Sequence, residues 1–366
     1  MSTAQKISFD SQSDPFFQLL KKRVREHFEA REQSPFATPY FYLKGLLLLG
    51  AYLCCYWTII QSQGNAAWLL LGYLGMGALA ILLGLNLAHD AAHGAISRRA
   101  WVNRLFLHAF DLLGANSYMW RNRHVFAHHP YPNVIHQDSD IQQVPFVRIF
   151  PDDLLRKVHR FQHLYMPLLY FFYTLHWTLR RDFVDFMAQG IGAYRPKDSH
   201  GVEWAKLIGF KTFYLGYVLG LPIWLMPEQW GWILLGYLLM NFSGSAVVAI
   251  ALISTHVGEH SVFPTPDEEG NFQHSWAEHQ VLTASDFCTQ NPLVNFLFGG
   301  FNHHVIHHLF PRISHVHYPQ LTPILVKTVE ECGLSYHCEP SLRQTMLSHW
   351  NLLVARGALA WENVDF

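Results

Sequence analysis

The sequence predicts an all-α membrane protein: four transmembrane helices in two hairpins, with a cytoplasmic helical cap holding a histidine-rich di-metal site. Three observations carry that expectation. Half of the 366 residues are hydrophobic and only 14% are charged, against roughly 25% in ordinary soluble domains. The apolar residues gather in long runs that lack Asp, Glu, Lys and Arg. The 24 histidines cluster just beyond those runs. A formal net charge of −1 supplies no basic field for a nucleic-acid partner. Of the 5 cysteines, Cys54 and Cys55 are adjacent and Cys288, Cys332 and Cys338 are scattered without a C-x-x-C pair, so a reduced, cytosol-facing location is the simpler reading.

Taken in order, residues 1–43 form an N-terminal cytoplasmic or interfacial segment. It is polar and charged, unlike a cleaved signal peptide. Phe17, Leu20, Val24 and Phe28 recur at helical spacing beside Lys21, Lys22, Arg23 and Arg25, which reads as a helix on the membrane surface or one packed on the cytoplasmic domain. The membrane domain occupies residues 44–366. Between Lys44 and Asp90 no charged residue occurs, and only "QSQGN" interrupts the run. Each side approaches the ~20 residues that cross a bilayer, giving spans over about 45–62 and 66–88. A second pair covers about 207–226 and 231–255 around the turn "PEQWG". Soluble core hairpins are the alternative, but a soluble helix carries a polar stripe that these largely lack.

Neither turn contains Lys or Arg, so all 26 basic residues lie on the other side or at the boundary. The positive-inside rule then places both termini and the segments 89–205 and 256–366 in the cytoplasm as the cap. "YMPLLYFFYTLHWTL" at 165–179 is short for a span and would reverse the later topology, so it reads as an interfacial or buried helix.

The histidines fall into three groups. His89 and His93, four apart at the end of the second span, share one helix face. His124, His128 and His129 repeat that step with a neighbour added. His304, His307 and His308 follow the fourth span as the first pair follows the second. Eight imidazoles exceed the three or four ligands of one tetrahedral zinc and suit two metal ions with open positions. Imidazole alone is compatible with zinc, copper, iron and nickel.

These boxes, "HDAAH", "HVFAHH" and "HVIHH", with "WVNRLFLHAFDLLGANSYMW", "NVIHQDSDI" and "HHLFPRISHVHYPQL" around them, resemble the membrane fatty acid desaturase family, whose boxes read H-x(3,4)-H, H-x(2,3)-HH and H/Q-x(2)-HH. The likeness spans about residues 80–355 and is nearest the acyl-CoA and acyl-lipid front-end or linoleoyl-CoA members. It implies an oxygen-dependent enzyme with a non-haem centre of two Fe ions, held by His89, His93, His124, His128, His129, His304, His307 and His308. A further ligand is implied at the end of the last span: His256, with His260 as the alternative. Asp90, Asp138 and Asp140 are expected to orient imidazoles, while His303 and His136 lie next to boxes but outside the spacing. His315 and His317 fit a structural or interfacial role.

The same resemblance implies dioxygen as co-substrate and a cis alkene and water as products. Partners are an acyl lipid (acyl-CoA, acyl carrier or glycerolipid), the bilayer, and a separate electron donor such as ferredoxin or cytochrome b5 with its reductase. The separate donor is expected because no fused cytochrome b5 domain or HPGG signature occurs. Box three opens with His304 where front-end members often carry Gln. Trp57, Tyr73, Phe213 and Trp224 are candidates for an acyl tunnel, against the heavier alternative of packing or lipid contact. Arg121, Arg123, Arg148, Arg156 and Lys157 stand on the cap side, as solvated or lipid-facing charges or as contacts to a CoA phosphate, a headgroup or an acidic donor.

A same-scaffold hydroxylase or ketolase would retain oxygen in the product. A membrane zinc hydrolase would need only three histidines and a metal-bound water. A transporter would carry polar ligands inside its spans, and no Glu-x-x-His of soluble di-iron oxygenases occurs.

Overall fold

A computed structural model describes residues 7–10, 14–141, 144–188, 190–192, 194–195 and 200–362. The described residues are mostly helical, and four helices are long and apolar enough to cross a membrane: α2 (Pro39–Ile60), α3 (Ala66–His93), α5 (Gly201–Leu225) and α6 (Pro227–His256). They start several residues before the expected positions at α2, α5 and α6, and α3 carries box one as its final turn. Thr38 and Pro39 open α2, and the Asn65 side chain caps α3 by accepting from Trp68 N, as short polar residues do at helix starts.

α2 packs along α3, and α3 packs along α6. Gly77 sits where α3 meets α6: a Cβ there would collide with the Met240 carbonyl. Small residues of this kind let apolar helices approach closely where no hydrophobic driving force separates helix from lipid. Tyr73, fully buried in this core, donates to the Val218 carbonyl at 2.6 Å.

Of the two readings of α1 (Pro15–Ala30), on the membrane surface or packed on protein, the structure has the second. Its Leu20, Val24 and Phe28 are buried with Val281, Leu321 and Leu325 of α7 (Trp276–Thr283) and α9 (Tyr318–Glu331). Its apolar face is taken up by protein. The apolar stretch 165–179 forms short helices and a π turn that lean on α6, where Thr174 bonds Ser245 and Asn241. It is not among the candidate spans.

Two stretches of π-helix punctuate the elements that carry boxes one and two. Gly84–Ala88 lies within α3 immediately before His89, and Asn122–His128 continues α4 (Ser117–Arg121). His129 N reaches back five residues to the His124 carbonyl at 3.1 Å. Such insertions recur at functional sites because one extra residue per turn redirects side chains.

Candidate metal centre

Box one ends α3, box two lies in the π turn after α4, His256 is the last residue of α6, and box three forms α8 (His304–Leu309). These four elements converge so that all nine predicted histidines are buried, none more than 7% exposed. Two all-histidine groups emerge in which the ligand atoms lie within 4.8 Å of one another, His89, His93, His124 and His307, and His128, His256, His304 and His308, and a third, His124, His128 and Asp140, joins them. His129 joins none of them compactly. Its Nε2 lies 3.2 Å from His124 Nε2 and 3.1 Å from His307 Nε2, beside the first group.

The outer nitrogens are held by acceptors. His124 Nδ1 faces Asp140 at 2.9 Å, His128 Nδ1 faces Asp138 at 2.9 Å, His256 Nδ1 faces the Thr283 carbonyl at 2.9 Å and His308 Nδ1 faces Gln280 Oε1 at 2.8 Å. A carbonyl or carboxylate only accepts, so each Nδ1 carries the proton and each Nε2 of a neutral ring is a lone pair. Those lone pairs nevertheless meet. His256 Nε2 is 3.1 Å from His308 Nε2, and His304 Nε2, on a ring whose Nδ1 has no hydrogen-bond partner among the described residues, is 2.9 Å and 3.1 Å from the two. Lone pairs facing each other in a buried site repel unless a cation sits between them, so the residues present fit bound metal ions.

Electrostatics favour the neutral, ligating form at His124, His129, His304, His307 and His308, and oppose it at His128. Burial, reinforced by neighbouring imidazoles, pushes His129, His304, His307 and His308 far below the ordinary histidine value, so these rings are neutral. Burial also lowers His124 against the pull of Asp140. At His128 burial works the same way, but Asp138 and Asp140 outweigh it and leave it raised. Asp140 itself resists burial through the His124 hydrogen bond and the His128, His124 and Arg123 charges, which hold its carboxyl below the usual range.

Asp138 and Asp140 thus do what their position after box two suggested. Asp90 does something else: it accepts from Ser314 Oγ at 2.8 Å and from His315 N at 3.1 Å, tying the loop after box three to box one. His260 stacks on His337 at 5.2 Å, outside the groups. His303 bonds Thr322 and Asn295 instead, and His136 is exposed. His317 bonds the Phe36 carbonyl. The acceptors Thr283 and Gln280 on α7 escaped sequence reasoning. Nothing in "WAEHQVLT" marks them, since their role follows from tertiary placement alone.

An apolar cavity of about 120 Å³ reaches the cluster at His124. Phe110, Trp120, Tyr173, Trp177 and Phe301 supply its aromatic surface. The aromatic residues singled out from sequence lie elsewhere: Trp57, Phe213 and Trp224 are exposed on the outside of the spans and Tyr73 is core. Two of the cap cations are structural rather than free. Arg123 is buried between Asp185, at 2.9 Å, and the Ser139 carbonyl. Arg148 is buried on the carbonyls of Asp153 and Arg356.

Four membrane-length helices, two of which end in a buried cluster of imidazoles able to hold metal ions, define the class: a membrane protein with a histidine-rich candidate metal centre. Residues 64–340 match the model of the fatty acid desaturase family, and the chain belongs to that family. It is 32% identical to an sn-1 linoleoyl-lipid 6-desaturase of Synechocystis sp., over 98% of this chain and 99% of that one. A protein of the same name from Arthrospira platensis is 32% identical over 92% of this chain and 90% of its own. An acyl-lipid (8-3)-desaturase of Physcomitrium patens is 30% identical over 93% and 71%. The protein is therefore an oxidoreductase that desaturates fatty acyl chains.

Proposed function

We propose that this enzyme introduces a cis double bond into an acyl chain of a membrane glycerolipid. It would use two iron ions, dioxygen as co-substrate, and a separate one-electron donor such as a ferredoxin or a cytochrome b5 with its reductase. The observation that carries the metal reading is the approach of His256 Nε2 to His308 Nε2, two nitrogens whose ring protons are committed at Nδ1, with His304 Nε2 beside both. One ion would be held by His89, His93, His124 and His307 with His129 alongside, the other by His128, His256, His304 and His308. Two groups of four imidazoles support two ions. The relatives' names, linoleoyl-lipid and acyl-lipid desaturases, support a lipid-bound rather than a thioester-bound chain, with a linoleoyl chain as the first to test.

Bound iron with open positions supplies the dioxygen chemistry that an unactivated C–H bond requires. This chain's residues do the rest. The apolar cavity holds the acyl segment against His124 and keeps water from it. Asp140, Asp138, Thr283 and Gln280 fix the tautomer and aim of His124, His128, His256 and His308.

The spans are proposed as two hairpins, with residues 1–43 as a separate N-terminal segment and the cap at 89–205 and 256–366. Both termini and the site are proposed on the cytoplasmic side. The support is the absence of Lys and Arg from both hairpin turns.

The test is iron content of the purified full chain, with fatty-acid analysis of linoleate-containing cells expressing it. A His307→Ala, His308→Ala double variant runs beside it. Two irons per chain and a new double bond made only by the intact protein are expected. A hydroxylated product would move the assignment to the sister chemistry, and no lipid change in an iron-loaded chain supplied with reductant would sink it.

A further inference from the structure

Among the described residues, an apolar cavity and a polar groove approach the imidazole cluster, and they differ in chemistry. The apolar one meets it at His124. The other is a groove of about 1110 Å³ between α1, the end of α3, the helix Ala100–Leu107 and residues 311–313, with His93 in its lining. His93 is the single member of the nine-histidine cluster that reaches this groove, and its Nε2 has no hydrogen-bond partner among the described residues.

Six cations line it, Lys21, Arg25, Arg98, Arg104, Arg121 and Arg312, against two carboxylates, Glu29 and Glu32. Arg25 reaches Glu29 at 3.7 Å. Arg98, Arg104, Arg121 and Arg312 are exposed and, among the described residues, have no carboxylate within ion-pair distance. Two of them are steadied by aromatic faces instead: Arg98 lies 5.7 Å from the Phe36 ring centre and Arg121 5.0 Å from that of Phe126. In a chain whose net charge is −1, this is a local positive field and not a general basicity.

We infer that this groove is the docking surface for the enzyme's electron donor, an acidic one-electron carrier protein seated over His93. The inference rests on the proposed desaturation and names a partner face of that same centre. The electron count requires such a partner. The acyl CH2–CH2 unit gives up two hydrogens, while dioxygen takes four electrons and four protons to become two waters. The remaining two electrons come from two molecules of the carrier and the remaining two protons from solvent. Those electrons need an approach that the acyl chain does not occupy, and the groove opens at His93 while the apolar cavity opens at His124. The cations come from four separate segments, α1, residues 98–104, Arg121 and Arg312, along a groove of about 1110 Å³, and a field of that kind steers a protein face. A single phosphate is gripped by donors that converge on one point.

The test uses the iron-loaded full chain in detergent. Its association with an oxidised plant-type ferredoxin, and with a cytochrome b5 head domain, is followed by surface binding at low and high salt. Turnover driven by dithionite is measured in parallel. Reversing Arg98→Glu with Arg312→Glu is expected to slow association with the productive carrier about tenfold or more and to flatten its salt dependence. Iron content and dithionite-driven turnover stay at the wild-type level. Arg98→Lys with Arg312→Lys keeps the charge and the binding, and Lys157→Glu, outside the groove, changes neither. Association of both carriers unaltered by the reversal overturns the inference, and so does a loss confined to binding of anionic phospholipid vesicles. A wild-type chain that holds no iron and makes no alkene with dithionite breaks the desaturation reading instead, whatever the carriers do.

Discussion

Lys44 Nζ lies 2.7 Å from His315 Nε2, inside the protein, at the start of the first membrane-length helix. On the far side of the same ring Asp90 Oδ2 stands 3.0 Å from Nδ1, close enough for charge attraction but not aligned as a hydrogen bond. Lys44 and Asp90 are the two charges that bracket the uncharged run of the sequence, and the fold brings them together across one imidazole. Both are only 2% exposed. Neither charge is tolerable there without the other.

Removing one partner therefore costs more than removing both. Lys44→Met leaves the Asp90 carboxylate buried without its cation and lowers stability by about 3 kcal/mol. Lys44→Met combined with Asp90→Asn recovers a substantial part of that loss, with a coupling of about 1 kcal/mol or more. Thermal melting of the four proteins in detergent closes the cycle. Strict additivity would show that the ring does not connect them.

A second buried carboxylate sets a pH dependence. Asp286 accepts from Tyr336 Oη at 2.6 Å and from Val305 N at 2.8 Å, anchoring the start of α8. Burial raises its carboxyl from 3.8 to about 7, although the hydrogen bonds pull the other way. Because the folded value lies above the unfolded one, this group's contribution to stability is fully present below about pH 4 and is lost as pH rises through about 7. Asp286→Asn cannot ionise and lacks that loss. The melting-temperature difference, wild type minus variant, is expected to fall between pH 5 and pH 8, and a flat difference would refute the shift.

The ring acceptors predict metal affinity. Gln280→Leu removes the group that fixes His308 and leaves its Nδ1 proton unpaired. Losses of about 10–100-fold in metal affinity accompany such changes, measurable by competition with a chromogenic chelator. Gln280→Glu, which still accepts, retains most of the affinity. Chelation of the wild type should lower its melting temperature, since ions that bind only the folded chain stabilise it by mass action.

Much of this centre was legible in the chain because metal ligation demands fixed residue types at fixed spacing. "HDAAH", "HVFAHH" and "HVIHH" state eight of the ligand candidates outright, and the charge-free runs state the four long helices. What the sequence left out depends on tertiary placement. No propensity announces that Asn122–His128 winds as a π turn, so an ordinary helix was the natural expectation for box two. Thr283 and Gln280 face the cluster only because α7 packs beneath it. Arg123 and Arg148 read as surface cations until the carbonyls and Asp185 that enclose them are in place. The apolar stripe of α1 could belong to lipid or to protein, and only the neighbouring Leu321 and Leu325 decide it.

Cavity depth is the remaining lever on specificity. Ala80 lines the apolar cavity from α3, one turn before Gly84, and both present little or no side chain to it. A larger residue at either place shortens the space available beyond His124. At Gly84 even a Cβ would press to 3.3 Å of the Phe110 ring. Ala80→Phe is accordingly expected to lower kcat/KM for long acyl chains by about 10-fold or more. Iron content should be unchanged, because Ala80 precedes His89, the first histidine of the cluster, by nine residues on α3. Shorter chains, whose ends do not reach that far, should lose much less. Product analysis on a mixed-chain glycerolipid pool reads both at once. An equal loss for all lengths would mean that the substitution disturbs the packing of α3 and not the depth of the cavity, and unchanged selectivity would place the acyl chain elsewhere.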